Sequence, residues 1–459
     1  MIKGDRKILL SQKKAFFGIM STFLLVSVFV SAFNIQPVNA EETIYIKADG
    51  SVEPQSAPIQ RNGDLYTLTD NITNYAANAT IVVERNNSMV DGAGFTVKGQ
   101  PWDREKGSIG ICVNRTNNVT IQNTNFDNPY TGILLSYSSN ASIKGNNLTR
   151  HDYGILLDSS FNSSIDGNTV TYSVNGIYLA SSYSNSIDGN SLTETEGIRF
   201  NSSSNNIIKR NNITKNYGGI RFDFFSDYNS IEENTVASSY VGICLYVSSQ
   251  HNSIRGNNVT NNSLGGIVFD STSNYNGIYE NTIENNTVGL VVSYAEALKL
   301  NAAYGTTLFV SFGDTSNNMF YHNNVITNNQ QVNIGSSGYA GVWDNGYPSG
   351  GNYWSDYSGT DLYNGPYQNE TGSDGIGDVP YEIDGVNTDH YPLVSAVLSL
   401  TGDVNHDGIV DIYDAIVLAG AYSSVPGSSN WDPNADINRD NIVDIFDAIL
   451  LASNFGRTM

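Results

Sequence analysis

A stack of short β-strands wound into a solenoid, followed by a small all-α module, is the architecture that this sequence predicts. Three observations predict it. A Gly-Ile or Gly-Leu dipeptide recurs at Gly110, Gly132, Gly154, Gly176, Gly197, Gly219, Gly242, Gly266 and Gly289, with spacings of 22, 22, 22, 21, 22, 23, 24 and 23. A second motif, Ile-x-x-Asn-x-apolar, recurs in phase with it, from Ile143/Asn146/Leu148 to Ile278/Asn281/Ile283. Near the C-terminus a loop rich in Asp and Asn runs into an apolar segment, and the pair returns 33 residues later.

The first forty residues read as a signal peptide. Lys3, Arg6, Lys7, Lys13 and Lys14 precede an apolar run over 15–33, and Val38-Asn39-Ala40 supplies a small-residue cleavage pattern, so the mature chain starts at Glu41. The run is 19 residues long, enough to span a bilayer if it were not cut, so a retained anchor is the alternative. Either way the remainder is secreted or at the cell surface. The whole chain carries 23 Lys plus Arg against 45 Asp plus Glu, a formal charge of −22. Removing five basic residues and Asp5 with the signal leaves 18 against 44, or −26. Such a field repels phosphate backbones and anionic lipid and favours divalent cations, so nucleic acid is excluded as a partner.

Residues 41–107 form an N-terminal cap and first coils, and 108–393 the main solenoid with its own cap from about 340. Alternation within Gly-Ile-x-Leu places Ile133 and Leu135, Ile155 and Leu157, and Ile220 and Phe222 on one face. One such unit cannot bury that face alone, so the units stack. Twenty-two residues make one turn of a parallel β-helix, three short strands plus bends, with coils about 4.8 Å apart. A leucine-rich horseshoe has a similar period but demands Leu-x-x-Leu-x-Leu, which is not present. Asn140, Asn162, Asn185, Asn229, Asn252 and Asn276 recur at the bends, where stacked amides would satisfy buried backbone.

The residue after each Gly-Ile should face solvent, giving the stripe Leu134, Leu156, Tyr178, Arg199, Arg221, Cys244, Val268 and Val291. The next outward positions include Asn201, Asp223, Tyr246 and Asp270. Guanidinium, carboxylate and aromatic groups on one flat sheet suit a sugar, with Tyr178, Arg199, Asn201 and Tyr246 as substrate-binding residues. Asp223 and Asp270, two coils apart, and Arg221 are the candidate catalytic set, with a backbone separation of about 9–10 Å nearer to an inverting than to a retaining glycosidase. A solvated face with an incidental salt-bridge cluster is the competing reading. Cys112 and Cys244 share this phase six coils apart, too far to form a disulfide. Asn71, Asn78, Asn114, Asn118, Asn212 and Asn369 head Asn-x-Ser/Thr sequons that would be glycosylation acceptors outside the cell.

Beyond the last coil, Asp374 and Asp378 in Gly372-Ser-Asp-Gly-Ile-Gly-Asp, with Asp356 and Asp361 upstream, offer a possible additional calcium site or an ordinary Asp/Gly turn. A short linker over 394–401 leads to the strongest motif. Asp403, Asn405, Asp407, Asp411 and Asp414 stand at positions 1, 3, 5, 9 and 12 of a calcium loop, with the Ile409 carbonyl at 7 and Gly408 at the sharp turn. In the second loop Asp436, Asn438, Asp440, Asp444 and Asp447 take those positions with Ile442 at 7, and Asn441 replaces the glycine. Each loop opens an apolar helix, 412–421 and 445–454. Two Ca2+ ions are expected here.

These repeats resemble the right-handed β-helix coils of the NosD copper-binding family and the broader carbohydrate-binding and sugar-hydrolysis β-helix family. The segments Thr43-Ile-Tyr-Ile-Lys, Val90-Asp-Gly-Ala-Gly94 and Trp343-Asp-Asn-Gly-Tyr-Pro-Ser-Gly-Gly-Asn-Tyr-Trp354 strengthen the resemblance over 43–393. Copper sites need clustered His, Cys or Met, and the five His (151, 251, 322, 390, 406) are scattered, so no copper is expected. Residues 402–456 resemble a type I dockerin, an EF-hand-like module that plugs into a cohesin. The resemblance implies that Ile412/Tyr413 and Ile445/Phe446, just after ligand position 9, help choose that partner. They depart from the common hydroxyl pair, and docking onto the chain's own β-helix is the alternative. Together these imply an extracellular module that binds or processes polysaccharide, as a glycoside hydrolase or lyase if it is an enzyme, and that docks through its dockerin. A non-catalytic surface or adhesive protein is the alternative.

Overall fold

The computed structural model describes residues 38–39, 42–74, 78–99, 108–269, 272–292, 316–335 and 339–397, and all of 402–457 except 406–408, 426–427, 429, 433 and 438–441. Residues 1–37 and 40 of the signal segment, Asp270, Asp407, Asn438 and Asp440 fall outside the described residues.

The chain winds into three 13-stranded sheets whose neighbouring strands come from successive coils. The Gly-Ile strands form one sheet, running from Ile109–Asn114, Thr131–Ser136 and Tyr153–Asp158 to Val288–Val292 and Gln330–Ile334. A second sheet holds the first half of the Ile-x-x-Asn motif, as in Ser164–Asp166, and a third holds its second half, as in Thr169–Thr171. Pairing in these three sheets is parallel except at the entry, where Ile59–Asn62 pairs antiparallel with Leu65–Leu68 and Ile44–Ile46 with Val52–Glu53, and two short antiparallel pairs follow in the terminal cap. The register follows the sequence motif: Ile133 faces Ile155, and Ile155 faces Ile177.

The inward side chains make one continuous core, from Ile44 through Ile111, Ile155, Phe200 and Ile267 to Trp343 and Trp354. The recurring glycine is a packing requirement. A Cβ on Gly154 would lie 2.5 Å from the Gly176 carbonyl oxygen and 2.6 Å from a Val170 methyl, so only glycine lets adjacent coils meet at this corner. Corners are turned by left-handed residues, as at Asn140, Asn162, Tyr228 and Asn261.

Two long columns of amides are buried, one at the asparagines of the Ile-x-x-Asn motif and one at the predicted bends. In one, each Asn Oδ1 accepts the backbone N–H and an Nδ2 proton of the Asn one coil earlier, from Asn146–Asn168 (3.0 Å for each bond) through Asn257–Asn281. The column continues past an insertion, since Asn281 donates to Asn323 across 42 residues of sequence, and Asn323 donates to Asn352. It ends at Asp389, whose carboxylate accepts the backbone N–H of Asn352 at 2.7 Å and the Trp354 indole N–H at 2.9 Å. The second column runs from Asn185 through Asn206, Asn229, Asn252 and Asn276 to Asn318. Asn140 and Asn162, which the sequence placed in the same ladder, are exposed corner residues instead. The ladder lies at the inward-turned position beside them, because a left-handed corner residue points its side chain to solvent.

Two helices follow, α1 over Ile412–Ala421 and α2 over Ile445–Asn454. They close over a small separate core of Val404, Val410, Leu418, Ala435, Val443 and Leu451. Among the described residues no helix is long and apolar enough to cross a membrane.

Candidate functional site

On the outer side of the Gly-Ile sheet, aromatic and charged groups form a row across successive coils. The ring of Tyr130 meets that of Tyr153 edge-on at 5.8 Å, and Tyr153 stacks on Tyr178 at 5.5 Å. The Arg199 guanidinium sits over the Tyr178 ring at 5.4 Å, and Asn201 donates to the Tyr178 hydroxyl at 3.2 Å. Arg199 and Arg221 are neighbours in register, as are Asn201 and Asp223. Both arginines converge on one carboxylate: Arg199 Nε donates to Asp223 Oδ2 at 2.6 Å and Arg221 Nε to Oδ1 at 2.7 Å. Glu196 engages the far side of Arg199 at 3.4 Å, and Arg221 lies over the Tyr246 ring at 4.7 Å. Two cations and two anions thus cancel.

Burial and the neighbouring Tyr130 and Tyr178 raise the Tyr153 phenol above its ordinary range. Burial works against the charge on Arg221, but Asp223 more than offsets it, so that guanidinium is held more firmly protonated than usual. Tyr246 is raised well above its ordinary value, chiefly by burial.

The stripe is less exposed than the alternation predicts. Asp223 is only 1% exposed, and Tyr246, Cys244, Val268 and Val291 are buried as well. The last three pack with Val241, Tyr246 and Val247 as a second apolar cluster outside the coil, flanked by Phe224 and Leu264. The corner after Asp223 is widened, with Phe224 and Phe225 both left-handed, and the next coil repeats this at Val247 and Ser248. Bulky residues in that conformation are strained, and such strain gathers at functional positions. Asp270, the second carboxylate of the candidate pair, lies outside the described residues.

Tyr130, Tyr153 and Glu196 were missed in the sequence. Counting alternation backwards across Gly154 turns Tyr153 inward with Ile155. In the structure Gly154 and Ile155 are both buried in succession, so Tyr153 and Leu156 share the outer side. Cys112 and Cys244 belong to one column six strands apart, and neither forms a disulfide.

In the terminal cap, Asp378 accepts backbone N–H groups of Leu362 and Tyr363 and the Thr360 hydroxyl, which outweigh burial and lower its pKa. Asp361 accepts the N–H groups of Asp374 and Gly375, while Asp374 accepts that of Ile376 and a side-chain N–H of Gln368. Asp356 accepts the Tyr381 hydroxyl proton. These carboxylates tie neighbouring turns of the cap together.

In the helical module the two loops are built alike. Asp411 caps α1 by accepting the Tyr413 N–H at 2.7 Å, and Asp414 reciprocates by accepting the Asp411 N–H at 2.7 Å. Asp444 and Asp447 repeat this on α2 at 2.8 Å each. This is a capping box closed by aspartate. Asp414 also accepts the N–H groups of Val404 and Asn405, which draws the start of the first loop onto its end. Asp403, Asp414, Asp436 and Asp447 are buried. Buried carboxylates and loop carbonyls form a hard oxygen donor set that fits Ca2+. The described residues contain no group of three His, Cys, Asp or Glu side chains gathered closely enough to hold a metal. Asp407, Asn438 and Asp440, expected as ligands, lie outside the described residues. Tyr413 and Phe446 are 62% and 60% exposed, with Ile412, Ile416, Ile445 and Ile449 exposed beside them.

Residues 79–236 match the family described as right handed beta helix region, and 192–359 match the periplasmic copper-binding protein (NosD) family. Residues 401–455 match the dockerin type I domain. The chain is a β-helix protein with a C-terminal dockerin. No curated protein matches this β-helix protein. Among solved structures, the periplasmic alginate epimerase AlgG is 15% identical with a TM-score of 0.44, over 62% of this chain and 69% of that one. The A-module of the Azotobacter vinelandii mannuronan C-5 epimerase AlgE6 is 12% identical with a TM-score of 0.40, over 59% and 77%. An alginate lyase from Paenibacillus sp. str. FPU-7 is 14% identical with a TM-score of 0.39, over 48% and 88%. Dockerin domains bind Ca2+, and a dockerin implies a cohesin-type partner.

Proposed function

We propose that this is an extracellular polysaccharide-binding module, secreted or held at the cell surface, whose dockerin attaches it to a cohesin-bearing partner with two Ca2+ ions bound. The observation that carries the sugar reading is the row Tyr130–Tyr153–Tyr178–Arg199 on a flat sheet. Partly exposed phenol rings and hydroxyls beside the hydrogen-bonding Asn201 offer apolar and polar contacts to sugar units. The exposed apolar side chains repeated on α1 and α2 support the partner contact, since such patches mark interaction sites.

Binding is favoured over cleavage by one feature of the cluster. Asp223 is almost wholly buried and each of its oxygens accepts an arginine N–H, so a sugar lying on the outer face meets the two guanidinium groups rather than the carboxylate. Arg221 and Asp223 act as a buttress under Tyr178 and Arg199. The test is a glycan array with the exported chain, paired with a reducing-end assay on every glycan bound. Tyr178→Ala should weaken binding about tenfold, as expected for about 1.4 kcal/mol. Binding unaffected by Tyr153→Ala and Tyr178→Ala would remove the platform, and release of reducing ends would restore the enzyme reading.

A further inference from the structure

We propose that the corner between the Gly-Ile sheet and the sheet that follows it is a second glycan-binding strip, taking a neutral polysaccharide. The proposal rests on the polysaccharide reading above but concerns a different face. Tyr137, Tyr183, Tyr228 and Tyr275 on this corner are 58%, 47%, 59% and 54% exposed. From Tyr137 to Tyr275 is six coils, about 29 Å at about 4.8 Å per coil.

The rings are ordered. Phe161 and Tyr183 stack at 5.1 Å with planes 3° apart. Tyr228, His251 and Tyr275, three left-handed corner residues in register, stack at 4.9 and 5.2 Å with planes 5° and 7° apart. Stacking along the axis hides the inner faces and leaves the two ends of each stack open. Tyr183 belongs to the column of Phe161 and Ser204, one residue before the column of Ser184, Asn205 and Tyr228, so the free ends of the two stacks lie on either side of the Ser204–Asn205 coil with a one-residue sideways offset. Two coils give a gap of about 9.6 Å. Van der Waals contact on both sides takes about 3.5–4 Å each, so one sugar ring fits between them.

The chemistry favours a sugar over an apolar protein segment. Exposed Asn140, Asn162, Ser184 and Asn205 occupy the same column as the Tyr228 stack, so hydrogen-bonding groups alternate with ring faces. It also favours a neutral polymer. Beside its amides and hydroxyls the corner carries the Asp227 carboxylate next to Tyr228, with Arg115 over Tyr137 as a cation, and an exported chain of 18 basic against 44 acidic residues repels a polyuronate.

The test is affinity electrophoresis of the exported chain through gels containing xylan, mixed-linkage β-glucan or polygalacturonate. The combined Tyr137→Ala, Tyr183→Ala and Tyr228→Ala variant should lose retardation by a neutral glycan about fivefold or more. Retardation equal to the parent overturns the strip, as does ring-dependent retardation confined to polygalacturonate. If Tyr153→Ala with Tyr178→Ala loses binding while the corner variant does not, only the strip falls. If no glycan retards the parent, strip and platform both fall. A second readout uses the unaltered protein: the bound neutral glycan should slow diethylpyrocarbonate modification of the His251 peptide several-fold relative to the His390 peptide. Equal rates with and without a glycan that retards the protein overturn the proposal.

Discussion

Replacing Asn234 by alanine removes one rung from the longer amide ladder, and the structure gives the cost bond by bond. Its Oδ1 accepts the backbone N–H of Asn211 at 3.0 Å and the Asn211 side-chain amide at 2.9 Å. Its Nδ2 donates to the Ile208 carbonyl and to Asn257 Oδ1, both at 2.9 Å. The Asn211 amide keeps its bonds to the Ile187 and Lys209 carbonyls, and Asn257 Oδ1 keeps the Asn234 backbone N–H. Two buried backbone groups, the Asn211 N–H and the Ile208 C=O, therefore lose these partners. At about 1–3 kcal/mol for each group, Asn234→Ala should destabilise the coil by about 2–6 kcal/mol. Asn234→Asp should be at least as harmful, since a carboxylate keeps the acceptor but turns negative charge onto the Ile208 carbonyl and Asn257 Oδ1. Asn212→Ala, at an exposed strand position, should stay within about 0.5 kcal/mol. Urea titration followed by circular dichroism in calcium reads all three. A loss below about 1 kcal/mol for Asn234→Ala, or equality with Asn212→Ala, would refute the ladder as a source of stability.

Asp223→Ala should cost about 3 kcal/mol in the same titration, because it leaves two partly buried guanidinium groups without their shared anion; a change within 0.5 kcal/mol of Asp158→Ala would count against the buttress. His151 is buried, with Nδ1 against the Pro129 carbonyl at 2.7 Å, and burial lowers its pKa to about 4. The unfolded state binds the extra proton between about pH 6.5 and 4, so this contribution is complete above pH 6.5 and falls by up to about 3 kcal/mol as the pH drops to 4. His151→Phe should flatten that part of the pH–stability curve, and an unchanged slope would sink the assignment. Chelation with EDTA should abolish the helical signal of an isolated 402–456 fragment while leaving the β-sheet signal of the exported chain, because the buried loop carboxylates need a cation. Helix content that survives EDTA would contradict the calcium reading.

The winding, the period and the phase of the core were legible because they repeat: one coil's Ile predicts the next coil's Ile, and the register Ile133–Ile155–Ile177 follows directly. The outer face was legible only in part, because exposure is a tertiary property. Cys244, Val268 and Val291 share their phase with Leu134 and Arg199, yet pack into a cluster that no single coil reveals. Asp223 illustrates the same limit at the site. Its position on the sheet was predictable, but the two arginines that occupy its oxygens come from its own coil and the one before. The dockerin was readable from the spacing of Asp and Asn in its two loops. The further use of Asp414 and Asp447 as acceptors for the loop and helix backbone was not, since it depends on where the chain returns.

The amide ladder also has a direction. Every rung points its carbonyl toward the N-terminal coils and its NH2 toward the C-terminal coils, so the side-chain dipoles from Asn146 to Asn352 add head to tail. A row of this kind behaves along the solenoid axis as a helix macrodipole does along a helix, with its positive pole at the C-terminal end. Asp389 stands at that pole and is to the solenoid what an acidic N-cap is to a helix. The solenoid is therefore an electrically polar rod, and its positive tip, the one nearer the dockerin, is closed by a carboxylate.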